Sequence, residues 1–212
     1  RSGGPTAIAG DVRTTNSVLT IGDTLTVSGT SLLRPGSGAL TLTDVVLNSG
    51  AKLDVGAGGS GSIAVSTVGV ASGATNTKLR LASTGTATIS QAVTGLAELE
   101  LSDGNSVFSQ DVGSPSTRIG AITRTSTAGA TTFSRNLYAT NFNGSGGAVS
   151  LLGSTTDITN AVTFGTAAMV VLGDGGDTLN FPGGLVHTGG PTTIGGTVTT
   201  ANTGITLGEV VI

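Results

Sequence analysis

Residues 108–112 read F-S-Q-D-V, and the rest of the chain keeps returning to this pattern. The recurrences share an apolar residue, a short polar or small stretch and a second apolar residue: I-S-Q-A-V at 89–93, F-S-R-N-L at 133–137, I-T-N-A-V at 158–162 and F-P-G-G-L at 181–185. Looser versions begin at Leu19, Leu40, Ile63 and Ile205. These nine anchors recur about every 23 residues, and a period in the twenties is typical of repeat proteins.

The pattern indicates a corner between two short strands. Phe108 would end one strand facing inward, the polar residues would turn the corner, and Val112 would open the next strand facing inward again. We therefore predict two interior ladders: Phe108, Phe133, Ile158 and Phe181 in one, and Val112, Leu137, Val162 and Leu185 in the other. Ordinary hairpin turns are the alternative, but a series of hairpins does not require a fixed period.

Composition favours a chain built from many short strands. Charged residues make up 10% of the 212, against roughly 25% in typical domains, and Thr, Val and Ile alternate with 36 Gly and other turn residues. Disorder is disfavoured because 37% of residues are hydrophobic and the net charge is only -3.

We predict an all-β fold, a right-handed parallel β-helix (β-solenoid) with about nine coils of roughly 19–26 residues, as a single domain over residues 1–212. A pair of β-sandwich modules of about 100 residues each is the competing architecture. It would leave the repeat period unexplained.

Several classes of partner are disfavoured by composition. The chain has no Cys, so disulfides and Cys-based metal sites are impossible. With only two lysines and scattered arginines it has no basic stripe, and nucleic acid is not an expected partner. No apolar run approaches the roughly 20 residues of a membrane span, so membrane insertion is not expected. The start at Arg1, without Met, fits a piece of a longer precursor best.

Besides the recurring anchors, two further stretches are similar to segments of a known protein family: T-A-G-A-T-T-F-S at residues 127–134 and G-G-T-V-T-T-A-N-T-G-I-T-L-G at 195–208. They resemble the β-strand-repeat regions of large bacterial surface and secreted proteins, including filamentous-haemagglutinin-like adhesins and autotransporter passengers. The resemblance is best over residues 85–212 and compositional before them. It implies a structural or adhesive stalk or fibre at the bacterial cell surface.

One segment is similar to a known metal-binding motif. Residues 173–181, G-D-G-G-D-T-L-N-F, resemble the calcium-binding nonapeptide of RTX proteins, with Gly173, Gly175 and Asp177 at the motif positions. Such sites hold calcium between tandem copies, and the flanking residues carry no second copy. A structural turn is therefore favoured over a calcium site, and no cofactor is predicted.

We expect no catalytic activity. His187 is the only histidine, is predicted on a surface turn, and cannot form a His cluster within the chain. Glu98, Glu100 and Asp103 form the only tight acidic cluster, and with no Lys nearby in sequence it is predicted to be a solvated rim. The rival class is a glycan-binding or polysaccharide-processing β-helix, for which residues of different coils would have to converge.

The two ends of the chain carry a final expectation. A solenoid leaves unpaired N–H and C=O groups on its terminal coils, and such an edge is a template for another strand. Capping elements are not visible at either end: the C-terminal G-E-V-V-I stops inside an apolar strand. We expect the chain either to continue as further coils or to associate end to end with copies of itself.

Overall fold

The computed structural model describes residues 4–102, 104–125 and 128–212. These residues form 22 strands and no helix, so none of them lies in a helix able to cross a membrane. The strands are β1 (Thr6–Ile8), β2 (Asp11–Arg13), β3 (Leu19–Val27), β4 (Thr30–Arg34), β5 (Leu40–Leu47), β6 (Lys52–Val55), β7 (Ile63–Val70), β8 (Lys78–Leu81), β9 (Thr86–Ile89), β10 (Glu98–Leu101), β11 (Asn105–Phe108), β12 (Ile119–Arg124), β13 (Ala130–Phe133), β14 (Leu137–Gly144), β15 (Ala148–Leu151), β16 (Thr155–Ile158), β17 (Val162–Thr163), β18 (Met169–Leu172), β19 (Thr178–Asn180), β20 (Leu185–Ile194), β21 (Thr197–Thr199) and β22 (Ile205–Val211).

Every strand pairing is parallel and joins segments one coil apart. The pairings define three faces of a β-solenoid, which the chain visits in the order I, II, III before it rises to the next row. The predicted parallel β-solenoid is therefore confirmed, with about ten turns in place of nine.

Each face is a stack of ten rows. Face I contains residues 19–21, 40–42, 63–65, 86–89, 105–108, 130–133, 148–151, 169–172, 191–194 and 209–211. Face II contains 6–8, 24–27, 44–47, 67–70, 93, 112, 137–139, 155–158, 178–180 and 197–199. Face III contains 11–13, 30–34, 52–55, 78–81, 98–101, 121–124, 141–144, 162–163, 185–187 and 205–207.

The core runs along the solenoid axis because apolar residues alternate with Thr, Ser and charged residues in each strand. One interior ladder on face I shows the repeat: Ile21, Leu42, Val65, Ile89, Phe108, Phe133, Leu151, Leu172 and Ile194. Its members are 18 to 25 residues apart. Phe108 and Phe133 stack with ring centroids 4.8 Å apart and an interplanar angle of 6°.

The predicted ladders are correct in their first rows. Phe108 pairs with Phe133, and Val112 pairs with Leu137. They are wrong at the next step, although Val162 and Leu185 pair with each other as predicted.

The next partner of Phe133 is Leu151, while Ile158 pairs with Ala139 on face II. Likewise, Leu137 pairs with Thr156, and Val162 pairs with Leu185 on face III.

The error has a geometric cause. Between Val112 and β12 the chain makes a loop over residues 113–118 within face II, because Ile119 after the loop pairs with Ala139 on that face. One coil later β14 runs through the same part of face II as a continuous strand. That coil is therefore shorter, and counting 25 residues on from Phe133 overshoots its partner.

A column of glycines lines the corner that precedes face I over six successive coils: Gly38, Gly61, Gly85, Gly104, Gly129 and Gly147. A Cβ added at Gly61 would lie 1.8 Å from the carbonyl oxygen of Gly38, and one at Gly129 would lie 2.0 Å from the carbonyl oxygen of Gly104. Successive backbones thus touch at this corner, where no side chain fits.

Candidate functional site

The densest group of charged side chains lies on the outer surface of face III, in three successive rows. Strands β6, β8 and β10 pair in register, which places Lys52 beside Lys78 and Lys78 beside Glu98. The second outward column runs from Asp54 through Arg80 to Glu100. The alternate residues of these strands are buried leucines and Val55, so the charged side chains point to solvent.

Five of these side chains form one ion-paired network, and together with the unpaired Lys52 they are named here the face III charge cluster (Lys52, Asp54, Lys78, Arg80, Glu98 and Glu100). Lys78 Nζ lies 2.9 Å from Glu98 Oε1 and 2.5 Å from Glu100 Oε2. Arg80 bridges two rows, with Nη1 2.7 Å from Asp54 Oδ2 and Nε 2.9 Å from Glu100 Oε1. Lys78 and Arg80 of the preceding coil therefore hold both carboxylate oxygens of Glu100, and Arg80 links them to Asp54 one coil earlier.

Electrostatics at this cluster keep its central groups ionised. Burial alone would raise the pKa of Glu100, but hydrogen bonds from Lys78 and Ser102 and the nearby Arg80 charge lower it. Burial would lower the pKa of Lys78, yet its hydrogen bonds to Glu100 and Glu98 raise it. Glu100 is thus a carboxylate at neutral pH, a state suited to accepting hydrogen bonds rather than to donating a proton.

Lys52 is the member of the cluster that stands apart. Its side chain makes no hydrogen bond or ion pair with a residue of the described ranges, although Lys78 lies next to it in the ladder. Like charges directly opposite each other on a sheet are unfavourable. Lys52 also lines a shallow groove with Thr30, Asp54 and Arg80, so its unpaired ammonium group lies beside fixed polar groups there.

The predicted acidic cluster is only partly described. Glu98 and Glu100 lie together on β10, as expected, and Asp103 lies outside the described residues. Glu98 and Glu100 point to the solvent side of face III, but they are not without basic neighbours, because Lys78 and Arg80 come from the preceding coil and pair with them. The missing signal was the repeat itself, since Lys78 precedes Glu98 by one coil.

The glycine-rich stretch at residues 173–177 forms a tight turn. Gly173 has φ 81° and Gly176 has φ 73°, a region that glycine adopts readily. The buried Asp177 carboxylate closes the turn, with Oδ2 accepting a hydrogen bond from the Asp174 N–H at 2.8 Å. Among the described residues no three His, Asp or Glu side chains come together as metal ligands. The sequence favoured a structural turn here, and the alternative, calcium binding through Gly173, Gly175 and Asp177, stays untested.

The prediction that His187 lies on a surface turn is wrong. His187 is fully buried on face III, beside Leu207 of the last row. Its Nε2 donates to the Ala167 carbonyl at 3.1 Å, because a carbonyl can only accept, and Nδ1 therefore accepts from the Thr192 hydroxyl at 2.8 Å. The following Gly189-Gly190 does not end the strand, since β20 continues through it to face I.

Two arginines were not singled out from the sequence. Arg124 occupies an interior position of face III, between Leu101 and Gly144 in its ladder, and burial lowers its pKa. It donates to the carbonyls of Gly146 and Ala128 at 2.7 and 2.8 Å. The alternation Ile122, Thr123, Arg124 was the available signal for an inward side chain.

Arg118 fastens the 113–118 loop to face II. Its Nη2 lies 2.6 Å from Asp157 Oδ2, and its guanidinium carbon lies 5.9 Å from the centroid of the Tyr138 ring. The contact joins residues 39 positions apart in the chain, so only the coiled structure reveals it.

No family model matches the chain, and no curated protein or solved structure shows significant similarity to it.

Proposed function

We propose that this chain is a structural or adhesive module of a bacterial extracellular surface protein, in which the solenoid serves as a stiff stalk or as a unit of a self-assembling fibre. The observation that carries the proposal is the unbroken three-face stack: ten rows on each face share one core along the axis. Rows in such a sheet are about 4.8 Å apart, so ten rows span roughly 45 Å.

The distribution of side chains supports a mechanical role. The interior is filled by continuous apolar ladders, and the outward positions of face I carry mostly Thr, Ser and Ala. Each added coil repeats the same backbone pairing on all three faces, so length can increase without a new type of contact. The extracellular location and the adhesin-like character come from the resemblance of the recurring anchors to surface-protein repeats.

The partner that this role implies is another β-coil. Open strand edges at the first and last rows offer unpaired backbone groups to a strand of matching direction. The coil that covers them belongs either to the same protein or to a second copy. Surface glycans are a further class of partner for an adhesive module.

Small-angle X-ray scattering over a wide concentration range tests the proposal. A fibre unit should grow in maximum dimension from roughly 45 Å while its cross-sectional radius of gyration stays constant. A monomer of constant dimension at every concentration would refute the role as a self-assembling fibre unit, and only the role as a stalk would remain. Polysaccharide turnover that Glu100→Gln abolishes would overturn the structural assignment itself.

The groove beside Lys52 favours one second candidate, glycan binding. An unpaired ammonium group next to fixed carboxylates and Thr30 offers both donors and acceptors to an acidic sugar. A glycan array probed with wild type, Lys52→Ala and Arg135→Ala tests this. Binding that only Lys52→Ala reduces supports it, because Arg135 is exposed and lies away from the groove; no binding, or equal loss in both variants, refutes it.

A further inference from the structure

Charged side chains are distributed unevenly over the three long faces of the solenoid. The outer side of face III carries the face III charge cluster, and the outer side of face II carries Asp44 and Asp157. The first nine rows of face I, from residues 19–21 to residues 191–194, contain no charged residue. Covering face I over these rows therefore buries no charge, whereas covering either of the other two faces would bury several.

A continuous column of small residues runs along the outer side of these nine rows and is called here the face I outward column. Its members are Thr20, Thr41, Ala64, Thr88, Val107, Thr132, Ser150, Val171 and Thr193. The first three are exposed and the others are half-buried. No member is larger than Val, so a facing sheet can approach closely and interdigitate with the column.

A shallow groove of about 200 Å³ follows the column over three rows. The column forms one side of the groove with Thr41, Ala64 and Thr88, and the other side is formed by Thr43, Ser66 and Ser90. Thr and Ser hydroxyls both donate and accept hydrogen bonds. A second column of small and hydroxyl-bearing side chains placed in this groove would therefore find both apolar contacts and hydrogen-bond partners.

We infer that two copies of this chain pair side by side through face I, with their two face I outward columns interleaved. The pair has a two-fold axis parallel to the solenoid axis, so one surface is used twice. Each row faces the same row of the second copy, and both copies point in the same direction.

The repeat of the rows favours a second copy as the occupant. Rows are about 4.8 Å apart in both copies, so a contact made in one row recurs in every other row of the pair. A partner with another repeat would match a few rows and then lose register.

Same-row pairing also distinguishes face I from the other two faces. On face II it would bring Asp44 of the two copies together, and likewise Asp157, and like charges oppose pairing. On face I the first nine rows contain no such conflict. The contact ends at the ninth row, because Glu209 in the tenth row would face its own counterpart.

The area of face I is sufficient for a specific contact. Nine rows at about 4.8 Å and strands of about four residues at roughly 3.3 Å each give roughly 550 Å² per copy. The pair would bury about 1,100 Å² in total, and a specific interface needs about 1,000 Å² or more. Met169, an exposed apolar residue of the eighth row, lies on the same face and would be covered as well.

Sedimentation equilibrium over a range of concentrations tests the pair. Wild type should form a reversible dimer. Ala64→Lys and Thr132→Lys each place two like charges close together at the two-fold axis, and each should raise the dimer dissociation constant by about tenfold or more. Thr178→Lys puts the same charge on an exposed outward position of face II and should leave the constant unchanged.

Ala64 is exposed, so Ala64→Lys keeps the test valid even if Thr132→Lys impairs folding, which circular dichroism would reveal. A wild-type chain that stays monomeric at every concentration would overturn the inference. A dimer that Ala64→Lys leaves intact, or that Thr178→Lys weakens equally, would also overturn it.

Spin-label distances test the direction of the two copies, because the chain has no cysteine of its own. Gln110 and Asp174 are exposed, and each lies two residues after an inward residue of face I, in the fifth and the eighth row. In the parallel pair the labels of Gln110→Cys and of Asp174→Cys should be equally far apart. An antiparallel pair would separate the Asp174→Cys labels by a further six rows, about 29 Å along the axis, and would refute the stated polarity.

The inference goes beyond the proposed function, and the two can fail separately. End-to-end growth lengthens the particle at a constant cross-section, whereas pairing through face I enlarges the cross-section at a constant length of roughly 45 Å. Scattering that shows lengthening alone would refute the pair and leave the fibre. A thicker particle of unchanged length, lost in Ala64→Lys, would support the pair without fibre growth.

Discussion

Replacing Phe133 by alanine should be among the most destabilising changes in the chain. Phe133 is buried in the face I ladder, stacks on Phe108 at 4.8 Å and meets the edge of Phe142 at 5.8 Å. Deletion of a buried Phe side chain costs about 3–5 kcal/mol, and an aromatic pair contributes about 0.5–1.5 kcal/mol beyond its buried area. Phe133→Ala should therefore lower the free energy of unfolding by about 3.5–6.5 kcal/mol.

Two further variants serve as controls for this measurement. Phe133→Leu keeps an apolar residue of the kind found in the next row and should cost about 1–2 kcal/mol. Arg135→Ala, at the exposed corner two residues away, should change stability by less than about 0.5 kcal/mol. Urea unfolding followed by far-ultraviolet circular dichroism provides the free energies, and the m-value shows whether the coils unfold together. Equal costs for Phe133→Ala and Arg135→Ala would refute the interior ladder.

Three further outcomes follow from the same geometry. Gly61→Ala should lower the melting temperature, because the added Cβ would lie 1.8 Å from a backbone carbonyl oxygen. Gly22→Ala, where an added Cβ has no atom within 4 Å, should leave the melting temperature unchanged. Equal melting temperatures of the two variants would contradict the close approach at Gly61. The pKa of Glu100 is lowered in the folded chain, so its contribution to stability is present above the unfolded pKa of about 4.3 and is lost as pH falls through the folded pKa. The stability advantage of wild type over Glu100→Gln should therefore shrink in acid, and an advantage retained at about pH 2 would argue against the ion-paired role. Asp177→Asn should weaken the turn cap and lower the melting temperature equally with and without calcium; a calcium-dependent rise seen only in wild type would establish a metal site there.

The period of the sequence was enough to predict the solenoid but not its full register. Phe108 and Phe133 could be paired because the same five-residue pattern surrounds both. The pairing with Ile158 failed because coil length depends on local loops, such as the one at residues 113–118, which a repeated motif does not encode. Similar residues in sequence therefore need not occupy the same face.

The candidate site was harder to predict because its partners belong to different coils. Glu98 and Glu100 are visible as neighbours on one strand, whereas Lys78 and Arg80 become their partners only when the chain completes a turn. His187 was placed on a surface turn because Gly189 and Gly190 follow it. Its polar ring can nevertheless be buried, because both ring nitrogens are hydrogen-bonded. The hydroxyl that bonds the ring belongs to Thr192, five residues later, and the carbonyl belongs to Ala167 of the preceding coil.

The glycine column at the corner before face I has a consequence for how such a chain can change in length. Each of these glycines receives the backbone of the coil beneath it, and at five of the six the nearest atoms are backbone atoms alone; Gly147 also contacts the Arg124 side chain. The coil between two of them is therefore an interchangeable module. Deleting residues 86–104 joins Gly85 directly to Asn105, removes one turn and leaves the column uninterrupted; duplicating the same segment adds one. Recombination at these glycines would lengthen or shorten the solenoid in whole-coil steps, with β8 and β12 as the new neighbours on face III after the deletion.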